Sequence, residues 1–113
     1  MANKYGAKKV KADGYIFDSQ MEFRRYCELK MLEKAKEISM LTVHPKLPIK
    51  INNVLVCNVE LDFSYRMHAP KRPFKIKYED TKGFDTAISR LKRKLLKAAY
   101  PDINLEVIYA RAR

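Results

Sequence analysis

The stretch from residue 54 to residue 65 alternates apolar and polar side chains more regularly than any other part of the chain. The apolar positions are the odd-numbered ones, namely Leu55, Cys57, Val59, Leu61, Phe63 and Tyr65. Successive side chains on a strand point to opposite faces of the sheet. The pattern therefore predicts one strand over residues 54–65, with an apolar face and a polar face that carries Asp62.

Two helices are predicted on either side of the strand region. Ser19 followed by Glu22 has the spacing of a capping box, so a first helix is expected over residues 19–37. A second is expected over residues 86–99, ended by Pro101. The apolar side chains that mark their buried faces are Phe23, Tyr26, Cys27 and Met31, with the stem of Lys30 at the edge, in the first helix, and Ile88, Leu91, Leu95 and Ala98 in the second.

Three further segments have the composition of strands. Residues 40–51 contain two prolines, which suit an edge strand because proline cannot donate to a ladder, and Asn52-Asn53 then marks a turn. A polar loop from Met67 to Pro73 leads to a strand in which Phe74, Ile76 and Tyr78 alternate with charged residues, and a last strand carries Leu105, Val107 and Tyr109. The predicted class is α/β, in the order helix, three strands, helix, strand.

A chain of 113 residues is long enough for one domain and too short for two. Residues 1–14 are rich in lysine and end in the turn signal Asp13-Gly14, so we expect a mobile basic arm there and a single domain over residues 15–113. The longest apolar runs are far shorter than the roughly 20 residues that span a bilayer. No signal peptide is recognisable, and a cytoplasmic location is expected.

The net charge of +11 indicates a polyanionic partner. Nucleic acid is favoured over a membrane surface, because the basic segments lack the aromatic opposite face of an interfacial helix. A simply basic, solvated surface is the alternative. The residues predicted to contact DNA phosphates are Lys8, Lys9 and Lys11 in the arm and Arg90, Arg93, Lys94 and Lys97 on the second helix.

Cysteine and histidine are too few and too scattered for a zinc centre. Cys27 and Cys57 lack the spacing of a metal site, and His44 and His68 are isolated from them in sequence. Both cysteines are expected to be small buried apolar residues. Any catalysis must then depend on carboxylates and lysines.

The segment Asp80-Thr81-Lys82 places a carboxylate and an ammonium group on one face of a strand, since side chains two residues apart point the same way. Hydrolysis of a phosphodiester needs a group that neutralises charge on the phosphate and one that activates water. Carboxylate-bound Mg²⁺ supplies both, and a lysine can position the water. Asp62, on the neighbouring strand, is the candidate second ligand. A D-x-K triplet alone is a weak signal, and its position after a hairpin and before a basic helix strengthens it.

This arrangement resembles the PD-(D/E)XK nuclease superfamily, whose core has the order helix, three strands, helix, strand around a mixed central sheet flanked by helices. The motif corresponds to Asp62 and to Asp80-Thr81-Lys82, although Glu60-Leu61 stands where the motif has its proline. Segments around Lys4-Tyr5-Gly6, Phe17-Asp18-Ser19, Asp62-Phe63-Ser64-Tyr65 and Glu79-Asp80-Thr81-Lys82-Gly83 look like small phage-encoded members grouped with endonuclease I-like Holliday junction resolvases.

The resemblance implies a Mg²⁺-dependent endonuclease, with Mn²⁺ as a substitute, that acts on branched DNA as a homodimer in the bacterial host cytoplasm. It also implies that Glu22 joins Asp62 and Asp80 as a metal ligand and that Lys82 is catalytic. A nuclease for nicks or ends and a basic DNA-binding protein that does not cut are the alternatives.

Three points stay open at this stage. Glu22 could be only the reciprocal residue of the capping box, reaching back to the amide of Ser19. Glu60 shares a face with Asp62, whereas Glu79 should lie opposite Asp80 and pair with a nearby lysine. The apolar alternation is odd-numbered before the hairpin and even-numbered after it, so either the sheet is covered on both faces or a bulge near Asp62 redirects its side chain.

Overall fold

The computed structural model describes residues 8–68 and 75–109, and within them the chain forms two helices and eight strands. In chain order these are β1 (Val10–Ala12), β2 (Tyr15–Phe17), α1 (Gln20–Lys34), β3 (Ile38–Val43), β4 (Lys46–Ile51), β5 (Val54–Glu60), β6 (Phe63–Met67), β7 (Lys75–Lys82), α2 (Ala87–Ala99) and β8 (Asn104–Tyr109). The predicted α/β class is confirmed. The segment around Lys4, most of the loop from Met67 to Pro73, and Phe74 lie outside the described residues.

A mixed four-stranded sheet in the order β3-β6-β7-β8 organises the fold. The pairs β3–β6 and β6–β7 are antiparallel, whereas β7 and β8 are parallel because α2 forms the crossover between them. Ser64 lies opposite Tyr78 and Phe63 opposite Glu79 in the β6–β7 ladder.

The sheet is covered on both faces, which resolves the conflict between the two alternations. Phe63 and Tyr65 pack with Tyr26 and Leu29 of α1 in one apolar core. Tyr78, on the opposite face, packs in a second core around Leu96 of α2, together with Ile49, Val59 and Leu61. Each face of the sheet therefore needs its own set of apolar residues. For this reason the apolar positions are odd-numbered in β6 and even-numbered in β7.

The strand predicted over residues 54–65 is in fact two strands, β5 and β6, which belong to different sheets. The prediction over residues 40–51 was wrong in the same way, since β3 joins the central sheet and β4 pairs with β5 in a separate hairpin. The residues between β3 and β4 and those between β5 and β6, where the chain passes from one sheet to the other, lie side by side. His44 N donates to Asp62 O, and Leu61 N donates to Pro45 O, each at 2.9 Å. The apolar periodicity does not reveal the passage from β5 to β6, because the odd-numbered side chains on both sides of it are buried.

Local turn and cap signals were more accurate than the strand boundaries. Asn52 and Asn53 both have positive φ, at 50° and 65°, as a two-residue hairpin turn requires. The Ser19 side chain caps α1 as predicted, and Lys36, with φ of 63°, follows its C-terminal end. The described part of the basic arm is folded, since β1 pairs with β2 and Val10 packs on the first core. The expected boundary at residue 14 thus falls inside a hairpin.

The buried faces of both helices differ from those predicted. In α1 the buried residues are Glu22, Tyr26 and Leu29, whereas Cys27 and Met31 are exposed. A buried carboxylate on the inner face weakens the apolar pattern that sequence analysis follows. Cys57 is half-buried against the second core. Among the described residues no helix is both long and apolar enough to cross a bilayer.

A pair of leucine substitutions in α2 tests this helix orientation. Leu96 is fully buried, whereas Leu91, assigned to the buried face from sequence, is 56% exposed. Leu96→Ala should lower the free energy of unfolding by about 2–5 kcal/mol, because it leaves a cavity in the second core. Leu91→Ala should change it by no more than about 0.5 kcal/mol. Denaturant titration of both variants measures the difference, and equal effects would contradict the orientation.

Candidate active site

The predicted site residues meet where the chain passes from the β4–β5 hairpin into the central sheet. Asp62 lies between β5 and β6, and its backbone amide donates to Glu79 O at 3.1 Å. Asp80 and Lys82 lie in the last residues of β7, and Glu22 lies in the first turn of α1. These three elements place the four side chains at one end of β7.

Asp80 and Lys82 share a face of β7, as the strand rule predicts. Lys82 Nζ is 3.0 Å from Asp80 Oδ2, and Asp80 is only 5% exposed. Burial and then the negative charge of Asp62 raise the pKa of Asp80 to about 6, although Lys82 opposes the shift. Asp80 is therefore a desolvated carboxylate with a second carboxylate close enough to repel it.

Asp62 is held in place by the residue between Asp80 and Lys82. Both the backbone N–H and the hydroxyl of Thr81 donate to Asp62 Oδ2, each at 2.6 Å. A side chain in a break between strands is otherwise weakly oriented, so these two bonds fix where the Asp62 carboxylate lies. In the sequence Thr81 is only the variable position of the motif, and no signal there indicates this role.

Glu22 is both a helix-capping residue and a member of the carboxylate cluster. Its backbone N–H donates to Ser19 Oγ at 3.1 Å, and its Oε1 accepts from the amide of Asp18 at 2.9 Å, one residue before the amide expected from the capping box. The side chain is 2% exposed. Burial, and then the hydrogen bond and charge of Asp62, raise the pKa of Glu22 to about 9. Both effects favour the protonated form of Glu22, which can donate a hydrogen bond to Asp62.

His44 also approaches this cluster, with Nε2 at 3.5 Å from Glu22 Oε1. It occupies the break between β3 and β4 with φ of 58°, a left-handed conformation uncommon for a residue with a side chain. In the sequence His44 is isolated from the two cysteines and from His68. Nothing in its sequence neighbourhood indicates that the chain changes sheets there.

The chemistry of this donor set fits a hard divalent cation, but the carboxylates do not form a complete ligand shell. Their oxygens are the donors that Mg²⁺ and Mn²⁺ prefer. Burial and the negative charge of Asp62 raise the pKa of both Glu22 and Asp80, and a cation would offset that charge. Within residues 8–68 and 75–109, no group of three or more His, Cys, Asp or Glu side chains is arranged closely enough to hold a metal ion.

Two other acidic residues, Glu79 on the opposite face of β7 from Asp80 and Glu60 at the end of β5, are not part of this carboxylate cluster. Glu79 is fully buried on the α1 side of β7, where Arg25 Nε and Nη2 donate to its two oxygens, each at 2.7 Å, and Tyr65 also donates. Burial alone would raise the pKa of Glu79, but the hydrogen bonds from Arg25 and Tyr65 hold it below its usual 4.5. Its partner is thus an arginine rather than the expected lysine. Glu60 is exposed at the end of β5.

A comparison with protein families matches residues 2–112 to the model of the family described as protein of unknown function DUF1064. The chain belongs to the DUF1064 family. Neither the curated proteins nor the solved structures gave a match.

The basic residues predicted on α2 of this DUF1064 protein do not form one uniform stripe. Arg90, Lys94 and Lys97 are exposed along a groove between α2 and β8 with a volume of about 370 Å³. Arg93 also lines the groove, but its Nη2 lies 2.5 Å from Asp85 Oδ2 and its side chain is only 15% exposed. Lys8, Lys9 and Lys11 are exposed at the start of the described chain. The main contact of Arg93 is therefore its ion pair with Asp85, which differs from the predicted contact with DNA phosphates.

The ion pair between Arg25 and Glu79 gives a prediction for stability. Glu79→Gln should destabilise this DUF1064 protein by about 3 kcal/mol near neutral pH, because it leaves the half-buried Arg25 without its buried partner. The folded-state pKa of Glu79 is below the usual 4.5, so the loss should be complete above that pH and should shrink as the pH falls through the lowered pKa. Denaturant titrations at a series of pH values measure it.

Glu28→Gln is the matched control for this substitution. Glu28 pairs with the same arginine at 2.9 Å but is 61% exposed. Its loss should cost no more than about 1 kcal/mol. Equal effects of the two substitutions, or an effect of Glu79→Gln that grows towards acid pH, would contradict the assignment.

Proposed function

We propose that this DUF1064 protein is a metal-dependent endodeoxyribonuclease that hydrolyses phosphodiester bonds in branched DNA. The observation that carries the proposal is the cluster of Glu22, Asp62 and Asp80 beside Lys82. Burial and the charge of Asp62 disfavour the ionised forms of Glu22 and Asp80, and carboxylates with pKa values raised in this way concentrate at functional sites. A cluster of this kind on a chain with a charge of +11 suits the cleavage of a polyanion.

Each residue has a distinct role in the proposed reaction. Asp62 and Asp80 would hold the cation, with Glu22 as a third ligand once it loses its proton, and Thr81 keeps Asp62 oriented. Mg²⁺, or Mn²⁺ in its place, would stabilise charge developing on the phosphate and activate a water molecule. Lys82, already in contact with Asp80, would orient that water or donate to the phosphate.

The order of elements supports the resemblance to PD-(D/E)XK nucleases. Helix α1 precedes the three antiparallel strands β3, β6 and β7, and α2 then leads to the parallel strand β8. The β4–β5 hairpin is inserted between the first and second of these three strands. Asp80 and Lys82 lie at the end of β7, and Asp62 lies just before β6, the strand that pairs with β7.

The basic surface supports DNA as the substrate, and its composition favours recognition of the backbone. Arg90, Lys94 and Lys97 are exposed cations on one helix, suited to phosphates rather than to base edges. Resolution of a four-way junction takes two symmetric cuts, so we propose a homodimer with twofold symmetry. Its place of action would be the cytoplasm of a bacterial host.

A basic DNA-binding protein that does not cut is the second candidate. It is favoured by one observation, the lack of a preformed set of metal ligands among the described residues. Both candidates predict salt-dependent DNA binding, so only a cleavage assay separates them. A nuclease for nicks or ends would share the same catalytic residues and differ in its preferred substrate.

Cleavage of labelled four-way junction, fork and linear duplex, with Mg²⁺ or with chelator, is the deciding experiment. The wild-type protein should cut the junction in preference to the duplex, and only with the metal. Asp80→Asn and Lys82→Ala should each lower the rate by at least about a hundredfold while leaving DNA binding largely intact, because each removes a group that acts on the reacting phosphate.

Asp102→Asn is the matched control, since Asp102 is an exposed acid just beyond the C-terminal end of α2, at the opposite end of the sheet from the site. It should cut at the wild-type rate. Binding of all these DNAs without cleavage would refute the nuclease and leave the second candidate. Wild-type cutting by Asp80→Asn would show that the site is wrongly assigned.

A further inference from the structure

Asp80, one of the three carboxylates of the cluster, lines a cleft between β5, the end of β7 and α2. Its volume is about 190 Å³, where one water occupies about 30 Å³ in the liquid, so a phosphate group fits with a few water molecules. Asp80 and Lys82 of β7 line this cleft together with Asn58 of β5 and with Ser89 and Lys92 of α2.

Lys92 and the groove residues lie on different sides of α2. Lys92 lines the cleft with Asp80, whereas Arg90, Lys94 and Lys97 line the groove beside β8. Residues two apart on a helix do not face each other, which explains why Lys92 and Lys94 are separated. The basic residues of α2 therefore form two binding surfaces, with Arg93 between them and in contact with both.

Lys92 is the cation in the cleft that is available to a ligand. Lys82 is engaged with Asp80, and Arg93 is engaged with Asp85. Lys92 is exposed and forms no ion pair with any residue in the ranges 8–68 and 75–109. Ser89 and Asn58 add a hydroxyl and an amide, both of which can donate to phosphate oxygens.

We propose that Lys92, together with Ser89 and Asn58, binds the phosphate next to the one that is cut. The strand to be cleaved then passes between β5 and α2, and the groove of Arg90, Lys94 and Lys97 binds a second segment of the DNA. This inference rests on the proposed nuclease function and specifies the path of the substrate through that same site. Glu60 lies at the rim of the cleft, where its charge opposes the phosphate.

Lys92→Gln and Lys75→Gln form a matched pair, because each removes one lysine charge from an exposed position and Lys75 lies at the opposite end of the sheet from the site. Lys92→Gln should weaken DNA binding at low salt more than Lys75→Gln does. In single-turnover cleavage with protein in saturating excess, Lys92→Gln should still be slower by about tenfold, the change expected for losing one hydrogen bond to a charged group. Lys75→Gln should cut at the wild-type rate.

A methylphosphonate next to the mapped cut removes the charge of the one phosphate assigned to Lys92. It should slow the wild-type protein and Lys75→Gln by about tenfold and leave Lys92→Gln without further loss, since that contact is already absent. Equal rates of the two lysine variants, or an undiminished methylphosphonate effect in Lys92→Gln, would overturn the inference while the nuclease function stood.

Binding without cleavage separates the failure of this inference from the failure of the nuclease. Glu60→Gln should tighten the binding of uncut duplex, measured by fluorescence anisotropy in chelator, and Lys92→Gln should weaken it. If the wild-type protein cuts nothing but these opposite shifts are seen, the nuclease proposal falls and the cleft remains a phosphate-binding site without a cut beside it. If Glu60→Gln and Lys92→Gln both leave binding unchanged, the cleft is not a path for DNA.

Discussion

The buried pair between Arg25 and Glu79 determines where the two halves of the site lie. Glu79 precedes Asp80 on β7, and Arg25 lies one turn beyond Glu22 on α1. The two bonds from the guanidinium, with the Tyr65 hydroxyl as a third partner, fix both the rotation and the height of α1 against the sheet. A buried ion pair often adds little stability compared with a well-packed apolar pair of the same volume, although removing one partner alone is costly. We therefore assign this ion pair mainly a geometric role.

A second constraint is the place at which the chain changes sheets. Backbone hydrogen bonds between His44 and Asp62, and between Leu61 and Pro45, join the β3–β4 connection to the β5–β6 connection. The strands β4 and β5 therefore leave the central sheet together. Asp62 is consequently outside a regular ladder, where Thr81 can hold its carboxylate towards Glu22 and Asp80. Residues of β5 in this hairpin also line the cleft that contains Asp80.

Features that depend on near neighbours in sequence could be predicted, and features that depend on distant packing could not. The shared face of Asp80 and Lys82 follows from strand geometry, and the capping by Ser19 follows from helix geometry. Apolar alternation says which residues are buried but not against which layer, so the division of residues 54–65 between two sheets was missed. Arg93 pairs with Asp85 and Arg25 pairs with Glu79. From composition alone, both arginines would be expected to face solvent or to bind a ligand.

Binding of a divalent ion to the carboxylate cluster tests the central claim most directly, since it depends on neither the DNA substrate nor the cut. Calorimetric titration with Mn²⁺, and thermal unfolding at rising Mn²⁺ or Mg²⁺ concentration, should show saturable binding that stabilises the wild-type protein. Asp80→Asn and Glu22→Gln should lose most of that metal-dependent stabilisation, and Asp102→Asn should keep it. A wild-type protein that binds neither ion, or an Asp80→Asn variant that binds as the wild type does, would contradict the account.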